Sequence, residues 1–407
     1  MTDLKYINAN NILPAELIET IQQYVQGEYI YIPIKDKIEK QSPTEYELEL
    51  QKRDEHIYRK ALEGVSNKKL GTMYHLSESS IRRIIINQRK GYESMKDRIR
   101  DILNHWNVKD KTVTQIYDTA WQVGETYILK VYDDLTLLER NIKIITILDD
   151  MGIPVGKMVS TLEHTTFAKD EHNYYILSEK LQGNNIVSMK NTPNIAVKMG
   201  EIIANLHLAF KECETQDEFW DNSLLEEMKG WIYDSLKDSG WKFISEDKFN
   251  ETVSRLEAVY GNLPVQLIHR DIHFGNFLFD NEEFTGYIDF DLSQRNIRIF
   301  DLCYFMLGLL SEEEKLDVTQ TGWFDILKNV FIGYQRKISL EKEEIEAVPY
   351  VMKSIELLFV AWFSGENDVK CAENTMKIYQ FVDDNEDKIM KSLYDVWKDQ
   401  NERKIHL

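Results

Sequence analysis

HRDIHFGNFLFDNEEFTGYIDFD, residues 269–291, sets a histidine, an acid, an asparagine and two further acids at intervals that decide how the rest of the chain is read. Residues 265–269 ahead of it are apolar and strand-like, so Asp271 is expected in the loop just beyond a strand. Residues 276–279 and 284–289 are alternating runs joined by the turn-rich Asp280-Asn281-Glu282-Glu283, the pattern of a β-hairpin. Folding that hairpin returns Asp289 to the end at which Asn276 begins. One carboxylate then stands beside an amide oxygen and a second carboxylate. Phosphoryl transfer from a nucleotide needs those parts: a carboxylate to orient an incoming hydroxyl, and hard oxygen ligands that hold Mg²⁺ against the phosphates.

The fixed positions H-x-D-x-H-x-G-N and I-D-F-D are His269, Asp271, His273, Gly275 and Asn276, then Ile288, Asp289, Phe290 and Asp291. This set resembles the signature of the aminoglycoside phosphotransferase and choline kinase-like family, small-molecule kinases related in fold to protein kinases. The resemblance implies an α+β, two-lobed protein-kinase-like fold with a small antiparallel-sheet N-lobe and a mainly helical C-lobe. It also implies Asp271 as catalytic base, Asn276 and Asp289 as Mg²⁺ ligands, and ATP or GTP as phosphoryl donor. A hairpin carrying exposed acids is the plainer account, but a motif with this many fixed positions seldom arises by chance. In RNIRIFDLCYF, residues 295–305, Arg298 and Asp301 also resemble the family, where such an aspartate braces the catalytic loop; His269 and Asp301 are therefore expected as structural support. On residue pattern alone, Asp301 could equally cap a solvent-facing helix.

Upstream, residues 112–116, 121–123 and 126–132 read as three short strands. Lys130 shares a face with Ile128 and Tyr132 and resembles the family's phosphate-gripping lysine; an edge-strand lysine that blocks aggregation is the alternative. The helix expected over 135–150 should supply an acid to pair with it. The family's usual spacing lands on Asn141, whereas the nearest acid is Glu139, about 200° round a helix from it. Glu139 is preferred as the partner, with Asn141 as the substitute. Tyr117-Asp118-Thr119-Ala120 stands where a glycine-rich phosphate loop is expected. The strand at 174–177 runs into Ser178-Glu179-Lys180-Leu181, which resembles the hinge between lobes, so Ser178, Lys180 and Leu181 are expected around the nucleotide.

The 407-residue chain has a 43% hydrophobic fraction and a net charge of −20, which fits a globular protein with a sizeable core. No secretory signal and no apolar run of membrane-spanning length is evident, so a cytoplasmic location without membrane partners is expected. Cys213, Cys303 and Cys371 match no metal or disulfide spacing. Charge is uneven: residues 52–111 carry 15 basic against 8 acidic side chains, so a basic module precedes an acidic body.

Within that module, NKKLGTMYHLSESSIRRIIINQRK at 67–90 resembles bacterial helix-turn-helix regulator domains, with Gly71 for the usual alanine and His75 for the usual glycine. Leu70 and Tyr74 would face inward, Ser77 would cap the second helix, and Ile81 and Ile84 would pack beneath it. Ser79, Arg82, Arg83 and Asn87 would then face outward towards DNA; a hairpin that docks on the kinase body is the alternative. Before the module, residues 14–27 read as an amphipathic helix and 29–34 as a short strand, with a dimer compatible with either. The expected division is an N-terminal segment over 1–51, the helix-turn-helix module over 52–111, an N-lobe over 112–182 and a C-lobe over 183–407.

The acceptor is expected to be a small molecule with a hydroxyl group; Trp220, Trp231, Tyr233 and Trp241 among many acids would suit a cationic one, whereas an amphipathic helical shell solubilised by those acids is the preferred plainer account of them. A rival reading makes the chain a DNA-binding transcriptional regulator whose kinase-like body senses a ligand. No A-P-E element separates Asp289 from Asp301, which argues against a protein kinase.

Overall fold

The computed structural model describes residues 45–74, 76–186, 193–281, 283–312, 316–366 and 368–405; the helix and strand expected at 14–27 and 29–34 lie outside them. The chain divides into two compact units between Ile84 and Ile85. In the first, helices Glu45–Leu62 and Asn67–Tyr74 and the start of Glu78–Ile102 bury Ile57, Leu70, Ile81 and Ile84. Ser77 Oγ accepts the Ser80 N–H at 3.1 Å and so covers an orphan amide of the third helix. Gly71 has a steric reason: a Cβ there would stand 2.7 Å from the Leu76 carbonyl oxygen. Ser79, Arg82 and Arg83 are exposed, as is Asn87 further along the same helix.

The boundary expected at 111/112 falls earlier, because Glu78–Ile102 does not stop with the basic module. Tyr92, Met95, Ile99 and Ile102 continue at helical spacing. Ile99 and Ile102 join Leu103, Trp106, Val113, Trp121 and Leu177 in one buried cluster, and Tyr92 stacks on Trp121 at 5.4 Å. That apolar stripe makes residues 85–111 part of the sheet lobe.

The sheet comprises β1 (Val113–Tyr117), β2 (Ala120–Val123), β3 (Tyr127–Tyr132), β4 (Ala168–Lys169) and β5 (Tyr174–Glu179), in antiparallel order β1-β2-β3-β5-β4. Lys130 pairs with Ala120 on one side and Ile176 on the other, so its strand is internal and the edge-strand alternative fails. Helix Leu135–Asp150 follows, its first amides capped by Asp134.

Beyond Gly183 the chain is mainly helical, giving the expected pairing of a sheet lobe with a helical lobe. Two small antiparallel sheets interrupt the helices: β6 (Val265–Ile268) pairs with β9 (Gln294–Ile297), and β7 (Phe277–Asp280) with β8 (Glu283–Tyr287). Helix Lys342–Gly365 is long and apolar enough to cross a membrane, unlike anything expected from the sequence, but 67% of its apolar window is buried within the protein. It serves as a core helix.

Candidate active site

β6 delivers the chain to His269, where Asp301, three residues into helix Ile299–Ser311, holds the loop. Asp301 is fully buried and accepts the His269 N–H at 2.9 Å and the Arg270 N–H at 2.8 Å. It also meets His207 Nε2 at 2.9 Å, and His207 Nδ1 meets the Tyr334 hydroxyl at 2.8 Å. This excludes the solvent-facing cap as the role of Asp301. Arg270 takes a left-handed φ of 68°, uncommon for a side-chain-bearing residue, and its guanidinium grips Glu227 at 2.7 and 2.8 Å. His269 Nδ1 accepts the Asp271 N–H at 3.3 Å, which leaves Nε2 to donate to the Ile288 carbonyl at 3.2 Å.

Asp271 is thereby aimed outward with both oxygens engaged. Oδ1 accepts the Tyr304 hydroxyl at 2.8 Å; Oδ2 accepts Asn276 Nδ2 at 2.9 Å and lies 3.5 Å from His273 Nε2. His273 Nδ1 accepts the Gly275 N–H at 3.0 Å, which directs its Nε2 proton at the carboxylate. Gly275 is required here because a Cβ would collide with that imidazole. Burial opposes the Asp271 charge, yet His273 and then Tyr304 outweigh it and hold the carboxyl at about 2. It is ionised throughout the neutral range.

The asparagine and second acid converge as the hairpin spacing demands. Asn276 donates through Nδ2 to both the carbonyl and the carboxylate of Asp271, so its Oδ1 is not the atom turned to that residue. Its own carbonyl accepts the Ile288 N–H at 3.1 Å, closing the open end of the hairpin beside Asp289, whose φ is 66°. Lys130 Nζ donates to Asp289 at 2.9 Å and to Asp291 at 2.7 Å. Burial works against the lysine's charge, but Asp291 and Asp289 overcome it and raise its pKa. Tyr132 donates to the other Asp291 oxygen at 2.9 Å, where Asn141 Nδ2 also donates.

The preference for Glu139 is therefore corrected. Glu139 is exposed, while Asn141 is buried and turned towards Asp291. Asp291 supplies the carboxylate that Lys130 needs, so an amide on the helix suffices to steady it.

For a divalent cation, no group of three or more His, Cys, Asp or Glu is suitably arranged among the described residues. Asn276 and Asp289 nevertheless fit Mg²⁺, which takes one or two protein oxygens when phosphates and waters fill its remaining positions. A cleft of about 500 Å³ runs from these residues past Ile128 and Lys130 to Ser178, Lys180 and Leu181, the expected hinge positions. Where a phosphate loop is expected, the chain makes only a two-residue turn at Asp118 and Thr119, with the Asp118 carbonyl accepting Gln115 Nε2 at 3.2 Å; Ile116 and Tyr117 line the cleft beside it.

A second cavity of about 260 Å³ also touches His273. The aromatics expected to wall an acceptor site do not line it: Tyr233, Trp241 and Phe249 pack on one another, and Trp220 lies under Arg140 at 4.2 Å. Sequence reading missed Asp291, Tyr132 and Tyr304 as site members. Tyr304 had a signal, since it lies three residues after Asp301 on the same helix face. Asp291 stood in the motif itself but without an assigned partner.

A model described as the phosphotransferase enzyme family (APH) matches residues 113–322, leaving the basic stretch 67–90 outside it. The chain is similar to a homoserine kinase of Polaromonas naphthalenivorans (strain CJ2), 23% identical over 247 residues, 58% of this chain and 74% of that protein. Among solved structures, an amicoumacin kinase in complex with AMP-PNP, Ca²⁺ and Ami is similar with a TM-score of 0.57 at 17% identity, over 74% of this chain and 96% of that one. A choline/ethanolamine kinase family protein from Mesorhizobium loti follows with a TM-score of 0.53 at 15% identity, over 75% and 99%. At such identities these structures speak to the fold.

Proposed function

Since the chain belongs to the phosphotransferase enzyme family and is a small-molecule kinase, we propose that it moves the γ-phosphoryl group of ATP or GTP to a hydroxyl of a small, amine-bearing acceptor. The observation that carries this reading is the convergence of Asn276, Asp289 and Lys130 at one end of one cleft, with the Asp271 carboxylate hydrogen-bonded to Asn276 beside them. The names of the relatives support an amine-bearing acceptor, homoserine kinase and choline/ethanolamine kinase among them.

In this mechanism Asp271 accepts a hydrogen bond from the acceptor hydroxyl and aligns it for in-line attack. The hydroxyl oxygen bonds to the γ-phosphorus as the bond to the β-phosphate oxygen breaks, and the hydroxyl proton passes to Asp271. Tyr304 and His273 keep the carboxylate ionised and oriented until then. Lys130, held between Asp289 and Asp291, offers its charge to the nucleotide phosphates. Mg²⁺ held by Asn276 and Asp289 would neutralise charge on the phosphate oxygens.

Purified protein supplied with magnesium and ATP or GTP should phosphorylate some amino alcohol in a panel. Asp271→Asn should cut that turnover by about 10²- to 10⁴-fold while nucleotide affinity is kept. Equal turnover by the variant would sink the assignment.

The outward-facing Ser79, Arg82, Arg83 and Asn87 support a second role for residues 67–90 in binding DNA, the reading in which the kinase body reports to a regulator module. Replacing Arg82 and Arg83 together by alanine should then weaken DNA binding and flatten its salt dependence while phosphorylation is unchanged. Unaltered DNA affinity would count against it.

A further inference from the structure

The cavity that borders Asp271 through Tyr304 contains one acid with no counterpart. Glu356, on helix Lys342–Gly365, lines it at 4% exposure, beside Phe274, Tyr304, Phe305, Phe359 and Phe363. Among the described residues nothing hydrogen-bonds or ion-pairs with its carboxyl. Other buried ionic groups on the same helix are matched: Glu344 receives Arg298 at 2.8 and 2.6 Å, and Lys353 reaches Asp383 at 2.9 Å and Glu386 at 2.7 Å. A buried polar group without a partner is costly, and a protein core has no use for one. The aromatic walls supply ring faces, which attract cations most strongly where water is excluded.

We propose, on the basis of the phosphotransfer reading above, that this cavity seats the acceptor and that Glu356 binds its ammonium group, restricting acceptors to compact amino alcohols. His273 lines both this cavity and the nucleotide cleft, and Tyr304 links the cavity to Asp271 by a 2.8 Å hydrogen bond. An acceptor with its ammonium at Glu356 would therefore turn its hydroxyl towards Asp271 and the γ-phosphate. At about 260 Å³ the cavity is small beside the roughly 300–1,000 Å³ of drug-sized sites, which favours a short amino alcohol over a multi-ring amine.

Burial pushes the Glu356 carboxyl well above its usual range. An ammonium beside it favours the carboxylate, so forming the ion pair is coupled to loss of a proton to solvent. The other titratable groups lining the cavity are His273, Tyr304 and Glu312. Amine affinity should accordingly rise as pH rises from acid towards neutral, by the part of that dependence that belongs to Glu356.

The test compares wild type with Glu356→Gln on 2-aminoethanol, 3-aminopropanol, homoserine, the neutral 1,3-propanediol and a multi-ring aminoglycoside. In Glu356→Gln, KM for the amino alcohols should rise about 10- to 100-fold, the scale of a lost charge-assisted hydrogen bond. KM for nucleotide and for the diol should stay within about twofold, and the pH dependence of amine KM should flatten. Calorimetry in buffers of differing ionisation enthalpy should detect proton release on amine binding by wild type and none by the variant. Glu356→Asp, shorter but still acidic, should recover part of the affinity. An unchanged amine KM in Glu356→Gln, or preference for the aminoglycoside, would overturn the proposal. If no alcohol, amine-bearing or neutral, supports turnover that depends on Asp271, the phosphotransfer reading fails instead; the calorimetric comparison still decides whether Glu356 binds amines.

Discussion

Around Asp271, most of the holding groups lie a few positions away in the chain: His269, His273 and Asn276 all bond within residues 269–276. Around Lys130 the partners are remote, with Asp289 and Asp291 lying 159 and 161 positions further on and Asn141 reaching Asp291 across 150. The first region is built by spacing, so altering one residue type would break a recognisable pattern. The second is built by folding, and there the identity of a residue can change while the charge balance survives. Asn141 illustrates this: it stands where a glutamate is expected, and the carboxylate comes from Asp291 on another element.

The strongest challenge to this contrast is Asp301, the distant group on which the local loop leans. Asp301→Ala leaves two backbone amides and His207 without their acceptor, and should cost about 3–5 kcal/mol of stability in denaturant unfolding, with activity falling in step. If activity fell while stability held, the loop would be self-supporting.

Lys130→Met comes next. It leaves Asp289 and Asp291 facing each other, although the partial exposure of Asp289 softens their repulsion; a loss of about 1–2 kcal/mol and a clear rise in nucleotide KM are expected. Unchanged stability would mean that water already screens the pair.

The smallest effects sharpen the correction on the helix before the hinge. Asn141→Ala should lower kcat/KM for nucleotide by up to about 10-fold, the value of one hydrogen bond, while Glu139→Ala should change it by less than about twofold. The reverse order would reinstate Glu139.

Much of the fold was legible because it rests on short-range pattern. The strands ending at Val123 and Tyr132 and the hairpin that follows Asn276 fall where alternation put them, within a residue or two. The division of the chain was less legible. Basic composition marks residues 52–111 as one block, but the apolar stripe from Tyr92 to Ile102 commits the end of that block to the sheet lobe. Charge describes a surface; the stripe decides packing. The cavity beside Tyr304 was least legible. Aromatics at 220–241 pack elsewhere, and its lining comes from Phe274, the helix of Tyr304 and the helix of Glu356.

By itself, then, the sequence determined the chemistry of the loop, since His269, Asp271, Gly275 and Asn276 interact at separations that backbone geometry dictates. It also determined the two-lobed architecture through that motif and the strand periodicities around it. Only the tertiary structure decided which carboxylate answers Lys130, what anchors the loop at Asp301, and that Glu356 is left facing a cavity with no partner. Those outcomes depend on which elements come to lie side by side, because whether a charge is satisfied depends on all its neighbours in space and only a few of them are neighbours in the chain.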